Sequence, residues 1–143
     1  MARGIPVEVV RHFERIPLFE HVSKKGLRSI VSAATEIDVR AGQRLVAEGE
    51  YDRDLFVITR GEATVTKGGR KLSTLGPGDF FGELALLARI ARTASVTATT
   101  DMRVVVLGPR EMEQVIDHEP VLGRRMLEAM ANRVRAMENQ SGP

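Results

Sequence analysis

The spacing of apolar residues divides the chain into three parts, and the first of these has a helical pattern. In residues 6–34, apolar side chains recur at intervals of three or four with Arg and Glu between them. Pro17 interrupts the pattern, so we expect Leu18 and Phe19 to form a buried hinge between two short helices. Ser23 suits the N-cap of the second helix.

Residues 35–108 have a strand pattern instead. Short apolar stretches alternate with glycine turns at intervals of about 8–12 residues, which is typical of a β-sandwich or barrel. The segment Lys67-Gly68-Gly69-Arg70 predicts a hairpin turn. Gly49 belongs to a set of glycines to which the sequence assigns a turn and no other role.

The helical period returns in residues 109–139. A short helix is expected to break at Asp117-His118-Glu119, and Pro120 suits the first turn of the next helix. An apolar stripe follows on that helix, at Leu122, Met126, Met130, Val134 and Met137. The stripe either packs on the domain's own core or forms a mobile cover, since methionine packs adaptably.

Composition narrows the class of protein. A chain of 143 residues with 43% hydrophobic and 28% charged residues fits a single globular domain spanning residues 1–143. With 21 basic and 19 acidic residues, the charge is too even to indicate nucleic-acid binding. The absence of cysteine excludes disulfides and thiolate chemistry and fits a cytoplasmic setting, and no apolar run approaches the ~20 residues of a membrane span.

The most distinctive stretch runs from Pro77 to Ala94. Gly82 follows two phenylalanines and precedes a turn of good helix formers, and Arg92 lies ten residues further on. A glycine at a helix start lets a ligand approach the backbone, whose free N–H groups attract an anion, and an arginine can return to the same anion. The residues indicate either a pocket for a phosphate with a sugar attached or a buried helical turn with Arg92 as a surface charge.

The rest of the sequence argues against catalysis. A cupin-like metalloenzyme on a similar double-stranded β-helix would need His and carboxylate ligands on its strands. His12, His21 and His118 all lie outside the predicted strands, and no nucleophile–base pair is visible. The sequence therefore predicts a binding module with no catalytic residues, no metal and no cofactor.

With these residues in view, the chain resembles a cyclic nucleotide-binding domain from about Phe13 to Met137. The specific part is Phe81-Gly82-Glu83-Leu84-Ala85-Leu86-Leu87 and then Arg92-Thr93-Ala94, which is similar to the family's phosphate-binding cassette, here residues 81–94. The likeness is strongest to the cytosolic domains of cyclic nucleotide-regulated ion channels. It implies an α+β fold, in which N-terminal helices and two C-terminal helices flank an antiparallel, jelly-roll-like β-roll. Ala91 departs from the proline that many members have there.

The resemblance also implies a role for each matching residue. Arg92 would pair with the cyclic phosphate, helped by Thr93 and by backbone N–H groups near Gly82, Leu84 and Ala85. Glu83 would accept a hydrogen bond from the ribose 2′-hydroxyl, as suits an acceptor-only carboxylate. The base pocket and its lid would be formed by Val65, Leu75, Arg133, Val134 and Met137.

The implied function is that of a regulatory sensor. Its ligand would be cAMP in preference to cGMP, and its lid helix would close over the base. An interaction domain of the same fold without a ligand is the alternative, against which the intact Gly82, Glu83 and Arg92 argue. A transcription regulator would need a helix-turn-helix after the long helix, and the chain stops at Pro143, so we expect that this polypeptide alone does not read DNA. We also expect no membrane contact by the domain itself, and the effector domain or partner protein stays open.

Overall fold

A computed structural model describes the backbone of residues 7–83 and 88–140, with the side chains of residues 10–83 and 88–136. The helices are α1 (Val7–Glu14), a 3-10 helix (Pro17–Phe19), α2 (Lys24–Ala33), α3 (Pro109–His118) and α4 (Pro120–Gln140). The strands are β1 (Ala34–Val39), β2 (Arg44–Val46), β3 (Leu55–Arg60), β4 (Ala63–Lys67), β5 (Arg70–Leu75), β6 (Phe80–Phe81), β7 (Ser95–Ala98) and β8 (Met102–Leu107).

The strands form two antiparallel four-stranded sheets, which confirms the predicted α+β fold with a β-roll. One sheet has the order β1-β8-β3-β6 and the other the order β2-β7-β4-β5. The β4–β5 hairpin turns at Gly68 and Gly69 as expected, since both have a positive φ. No helix within residues 7–83 and 88–140 is long and apolar enough to cross a membrane.

The sheet that contains β3 is the central layer of the domain. Leu55 and Val57 point into a core shared with the helices, whereas Phe56 and Ile58 point into a second core against the other sheet. This alternation explains why four consecutive residues of β3 are all buried. β6 pairs with β3 and divides in the same way, with Phe80 in the core shared with the helices and Phe81 in the core between the sheets.

The N-terminal hinge forms as the sequence predicts. Leu18 and Phe19 are buried in the 3-10 helix that separates α1 from α2. Ser23 caps α2, because its Oγ accepts a hydrogen bond from the Gly26 N–H at 3.0 Å. At the other end of the chain α3 continues through His118, so the break before α4 falls on Glu119 alone.

The stripe on α4 divides into two halves. Leu122 and Met126 are fully buried in the helical core, and Met130 is half-buried. Val134 is 54% exposed, and the side chain of Met137 lies outside the described residues. The first half of α4 is therefore anchored on the core, whereas Val134 has no such anchor.

Two leucines of α4 make a matched test of this anchoring. Leu122→Ala should lower the free energy of unfolding by about 2–5 kcal/mol, because it leaves a cavity in a packed core. Leu127 is 64% exposed, so Leu127→Ala should change it by no more than about 0.5 kcal/mol. Urea unfolding measures both, and equal effects would show that the helix does not pack as described.

Candidate functional site

Gly82 lies where β6 ends, in a conformation and at a distance from its neighbours that favour glycine. Its φ is +98°, which side chains rarely adopt. A Cβ atom at this position would lie 2.6 Å from Arg92 Nη1 and 2.6 Å from the Asp54 carbonyl oxygen. A side chain here would strain the backbone and displace the arginine. Glycine at this position therefore allows the Arg92 guanidinium to lie directly against the backbone.

Arg92 is held along one edge of its guanidinium. The residue is only 5% exposed. Nε donates to Asp52 Oδ2 at 3.1 Å, and Nη2 donates to Asp52 Oδ1 and to the Asp54 carbonyl, the latter at 2.8 Å. The guanidinium also lies 5.7 Å from the centre of the Phe56 ring, which stacks on Phe81. These contacts fix the direction of the opposite edge.

That opposite edge carries Nη1, which is buried and has no hydrogen-bond partner within the described part of the chain. A buried donor without an acceptor costs roughly 1–3 kcal/mol. The acceptor that would relieve this cost must reach the space beside Gly82, because Nη1 points there. An anion suits this position best, since the donor is charged.

The backbone of Arg92 is held as well. Its N–H donates to the Glu50 carbonyl and its own carbonyl accepts from the Gly49 N–H, both at 2.8 Å. The sequence assigned Gly49 only a turn, but its φ of +88° places its N–H against the cassette. These two hydrogen bonds fix the approach to Arg92 where Ala91 provides none of proline's rigidity.

Glu83 is also buried, at 5% exposed, and it is paired with the long C-terminal helix. Arg133 of α4 donates to Glu83 Oε1 through Nη1 and to the Phe80 carbonyl through Nη2. Its guanidinium lies 4.9 Å from the centre of the Phe80 ring. A groove of about 450 Å³ opens beside this contact, between α4 and the turn that contains Gly78.

The remaining predicted site residues are less closely gathered. Val65 and Leu75 are half-buried at the margin of the core between the sheets, and Thr93 is exposed. Val134 is exposed on α4. Leu84 and Ala85 lie outside the described residues, as does the side chain of Met137.

Asp52 and Asp54 are the residues that the sequence reasoning missed. They precede β3, whose residue Phe56 pairs with Phe81 of β6, and this register brings the loop beside Gly82. No spacing rule links residue 52 to residue 92, so the contact follows only from the strand pairing. Within the described residues, no group of three or more His, Cys, Asp or Glu side chains could hold a metal ion.

The Asp54 side chain, whose backbone carbonyl binds Arg92, lies in surroundings that disfavour its charged form. Burial raises the pKa of the Asp54 carboxyl above its usual range, and the nearby Asp52 and Glu111 carboxylates raise it further. The Arg92 guanidinium lowers that pKa, but not enough to reverse the shift. Folding therefore favours the protonated form of Asp54, and its ionisation destabilises the folded state.

We predict that Asp54→Asn raises the melting temperature near neutral pH. The gain should shrink as the pH falls through the raised pKa of Asp54 and vanish below 3.8, where the carboxyl is protonated in both the folded and the unfolded state. The Asp54 carbonyl that binds Arg92 is retained. Thermal unfolding at several pH values measures the effect, with exposed Asp117→Asn as the control; a gain that is constant with pH would contradict the assignment.

The sequence matches a known protein family over much of its length. The family model described as "Cyclic nucleotide-binding domain" matches residues 36–119. A cAMP-dependent protein kinase regulatory subunit of Yarrowia lipolytica is 34% identical over 73% of this chain. A "Putative potassium channel protein" of Rhodopseudomonas palustris is 29% identical over 83% of it, and the chain spans 30% of the length of each of these two relatives.

A solved structure extends the agreement to the fold. The structure of cAMP-bound PfPKA-R matches with a TM-score of 0.82 and 19% identity, over 94% of this chain and 46% of that one. The family match confirms the resemblance that residues 81–94 indicate, at the level of the family. Because the family model covers more than half of the sequence, the chain belongs to the cyclic nucleotide-binding domain family.

Proposed function

We propose that the domain is a sensor that binds cAMP in preference to cGMP and has no catalytic role of its own. The observation that carries this proposal is Arg92 Nη1, which is buried, has no hydrogen-bond partner among residues 7–83 and 88–140, and points at Gly82, the residue before the buried Glu83. A cationic donor and a carboxylate placed on the same short segment suit a ligand that presents an anion and a hydroxyl close together. A cyclic ribose phosphate is such a ligand.

The phosphate would bind Arg92. Its Nη1 would donate a charge-assisted hydrogen bond, which is roughly twice as strong as a neutral one. Asp52 would hold the guanidinium in place during binding, so little side-chain entropy would be lost. The backbone near Gly82, Leu84 and Ala85, together with Thr93, would contact the remaining phosphate oxygens.

The ribose would bind Glu83. An ionised carboxylate has about four lone-pair positions, so it can accept a hydrogen bond from a 2′-hydroxyl while one oxygen still faces Arg133. The ribose hydroxyl and Arg133 would then share a carboxylate or compete for it. Either way, the ligand would act on the residue that ties α4 to the roll.

Ligand binding would change the position of α4. A ligand shifts a conformational equilibrium only by its differential affinity for the two states, and Arg133 is the contact that differs when Glu83 gains a ribose. Movement of α4 could then bury Val134 and Met137 against a base lying near Val65 and Leu75. The present exposure of Val134 leaves that surface available to the base.

An interaction domain that binds no nucleotide is the second candidate. The observation in its favour is the Arg133–Glu83 ion pair, because it satisfies the ribose carboxylate from within the protein. Arg92 Nη1 favours the sensor, because it has no acceptor in the described part of the chain and an interaction domain would leave this buried donor unsatisfied.

Removing the guanidinium tests the phosphate site. Arg92→Ala should weaken cAMP binding by roughly 30-fold to several thousand-fold, the equivalent of ~2–5 kcal/mol for one partner of a buried charged pair. Isothermal titration calorimetry with cAMP and cGMP measures this loss and the ligand preference together. Arg124→Ala on the exposed face of α4 is the matched control. Near-parental cAMP affinity in Arg92→Ala would contradict the phosphate assignment.

A ligand that lacks the hydroxyl tests the ribose site. The parental protein should bind 2′-deoxy-cAMP about 10-fold to 100-fold more weakly than cAMP, as expected for one hydrogen bond to a charged group. Glu83→Ala should weaken cAMP binding and then bind both ligands equally. Calorimetry measures the four affinities, and Glu128→Ala is the control. A Glu83→Ala variant that still discriminates between the ligands would contradict the contact.

A further inference from the structure

Glu119 lies where three helix ends meet. Its N–H donates to the Val115 carbonyl at 2.8 Å and so closes α3. Its carbonyl accepts from the Leu122 N–H at 3.0 Å and so begins α4. Its side chain accepts from the Ser23 N–H at 2.6 Å, at the start of α2 and 96 residues earlier in the chain.

The side chain of Glu119 makes the second capping hydrogen bond of α2, for which the first turn of α2 has no side chain of its own. In a capping box, the N-cap hydroxyl bonds the N–H of the third helical residue, and a Glu or Gln at that position bonds back to the N-cap N–H. Ser23 makes the first of these hydrogen bonds to Gly26. Gly26 has no side chain for the second, and Glu119 makes that bond instead.

Gly26 leaves the space that Glu119 fills. A Cβ atom on Gly26 would lie 2.7 Å from Glu119 Oε1 and 2.8 Å from its Cδ. Gly26 has no positive φ that would require glycine, so the space around it accounts for its small size: the Glu119 carboxylate lies on one side, and Val22 Cγ1 would also lie 2.8 Å from a Cβ atom here. The side chain missing from α2 is thus replaced by one from the α3–α4 junction.

The charges in the first turn of α2 also favour a carboxylate at this position. The first turn of α2 carries Lys24 and Lys25 and no acidic residue. Positive charge is unfavourable at a helix N-terminus, whereas a carboxylate there is stabilising. Glu119 therefore gives α2 both the hydrogen-bond acceptor and the negative charge that its own first turn does not provide.

We propose that Glu119 is a positioning residue that ties the direction of α4 to α2. Pro120 begins α4 immediately after it, so the anchored backbone of Glu119 sets the angle at which α4 leaves α3. Without the carboxylate, α2 loses the second of its two capping hydrogen bonds, and α4 loses its connection to the start of α2 at the same time.

Two measurements on the ligand-free protein test the proposal. Glu119→Ala should reduce the hydrogen-exchange protection of the Ser23 and Gly26 amides about fivefold to tenfold, the size expected of a lost cap. It should also shift or broaden the distance between spin labels at Arg28→Cys in α2 and Ala131→Cys in α4. Both positions are exposed and the chain has no native cysteine, so the labels are specific.

Two further variants separate positioning from simple capping. Glu128→Ala removes a carboxylate from α4 itself and should change neither readout. Ser23→Ala removes the other capping hydrogen bond, to the Gly26 N–H, but keeps the residue 23 N–H that donates to Glu119, so it should reduce the exchange protection of the Gly26 amide and leave the label distance unchanged. Should Glu119→Ala unfold, Glu119→Gln is expected to fold and show the same two changes in smaller degree. An unchanged label distance in a folded Glu119 variant would overturn the proposal.

Discussion

A guanidinium that is buried and held along one edge is the constraint on which the rest of the site depends. Asp52 and the Asp54 carbonyl engage Nε and Nη2 of Arg92, and the backbone of Arg92 is bonded to Gly49 and Glu50. A buried cation is tolerated only when it is paired. Because the pairing uses one edge alone, it fixes the other edge in direction and leaves it without an acceptor among the described residues. We propose that this unsatisfied edge is what makes the stretch a binding site.

Much of the fold could be predicted from the sequence because local chemistry determines it. Pro17 and Ser23 mark helix boundaries through the missing N–H of proline and the capping hydroxyl of serine, and both act as expected. The Gly68-Gly69 turn likewise follows from conformational freedom that only glycine has. The cassette was recognisable because Gly82, Glu83 and Arg92 lie within ten residues of one another.

Contacts that depend on long-range pairing could not be predicted. Asp52 reaches Arg92 across 40 residues, and Glu119 reaches Ser23 across 96. No periodicity connects such residues, since only the assembled sheet and helices bring them together. The apolar stripe of α4 shows the same limit: its spacing predicts a helix, but it does not reveal that Leu122 is buried and Val134 is exposed. The two halves of α4 differ because only the first lies over the core.

A crystal structure of the domain bound to cAMP would show directly whether the free edge of Arg92 binds the phosphate. We expect a phosphate oxygen within hydrogen-bonding distance of Arg92 Nη1, beside Gly82, with the Asp52–Arg92 pair retained and the 2′-hydroxyl on Glu83. A phosphate bound elsewhere, or an Arg92 that must leave Asp52 to reach it, would show that the site does not work in this way.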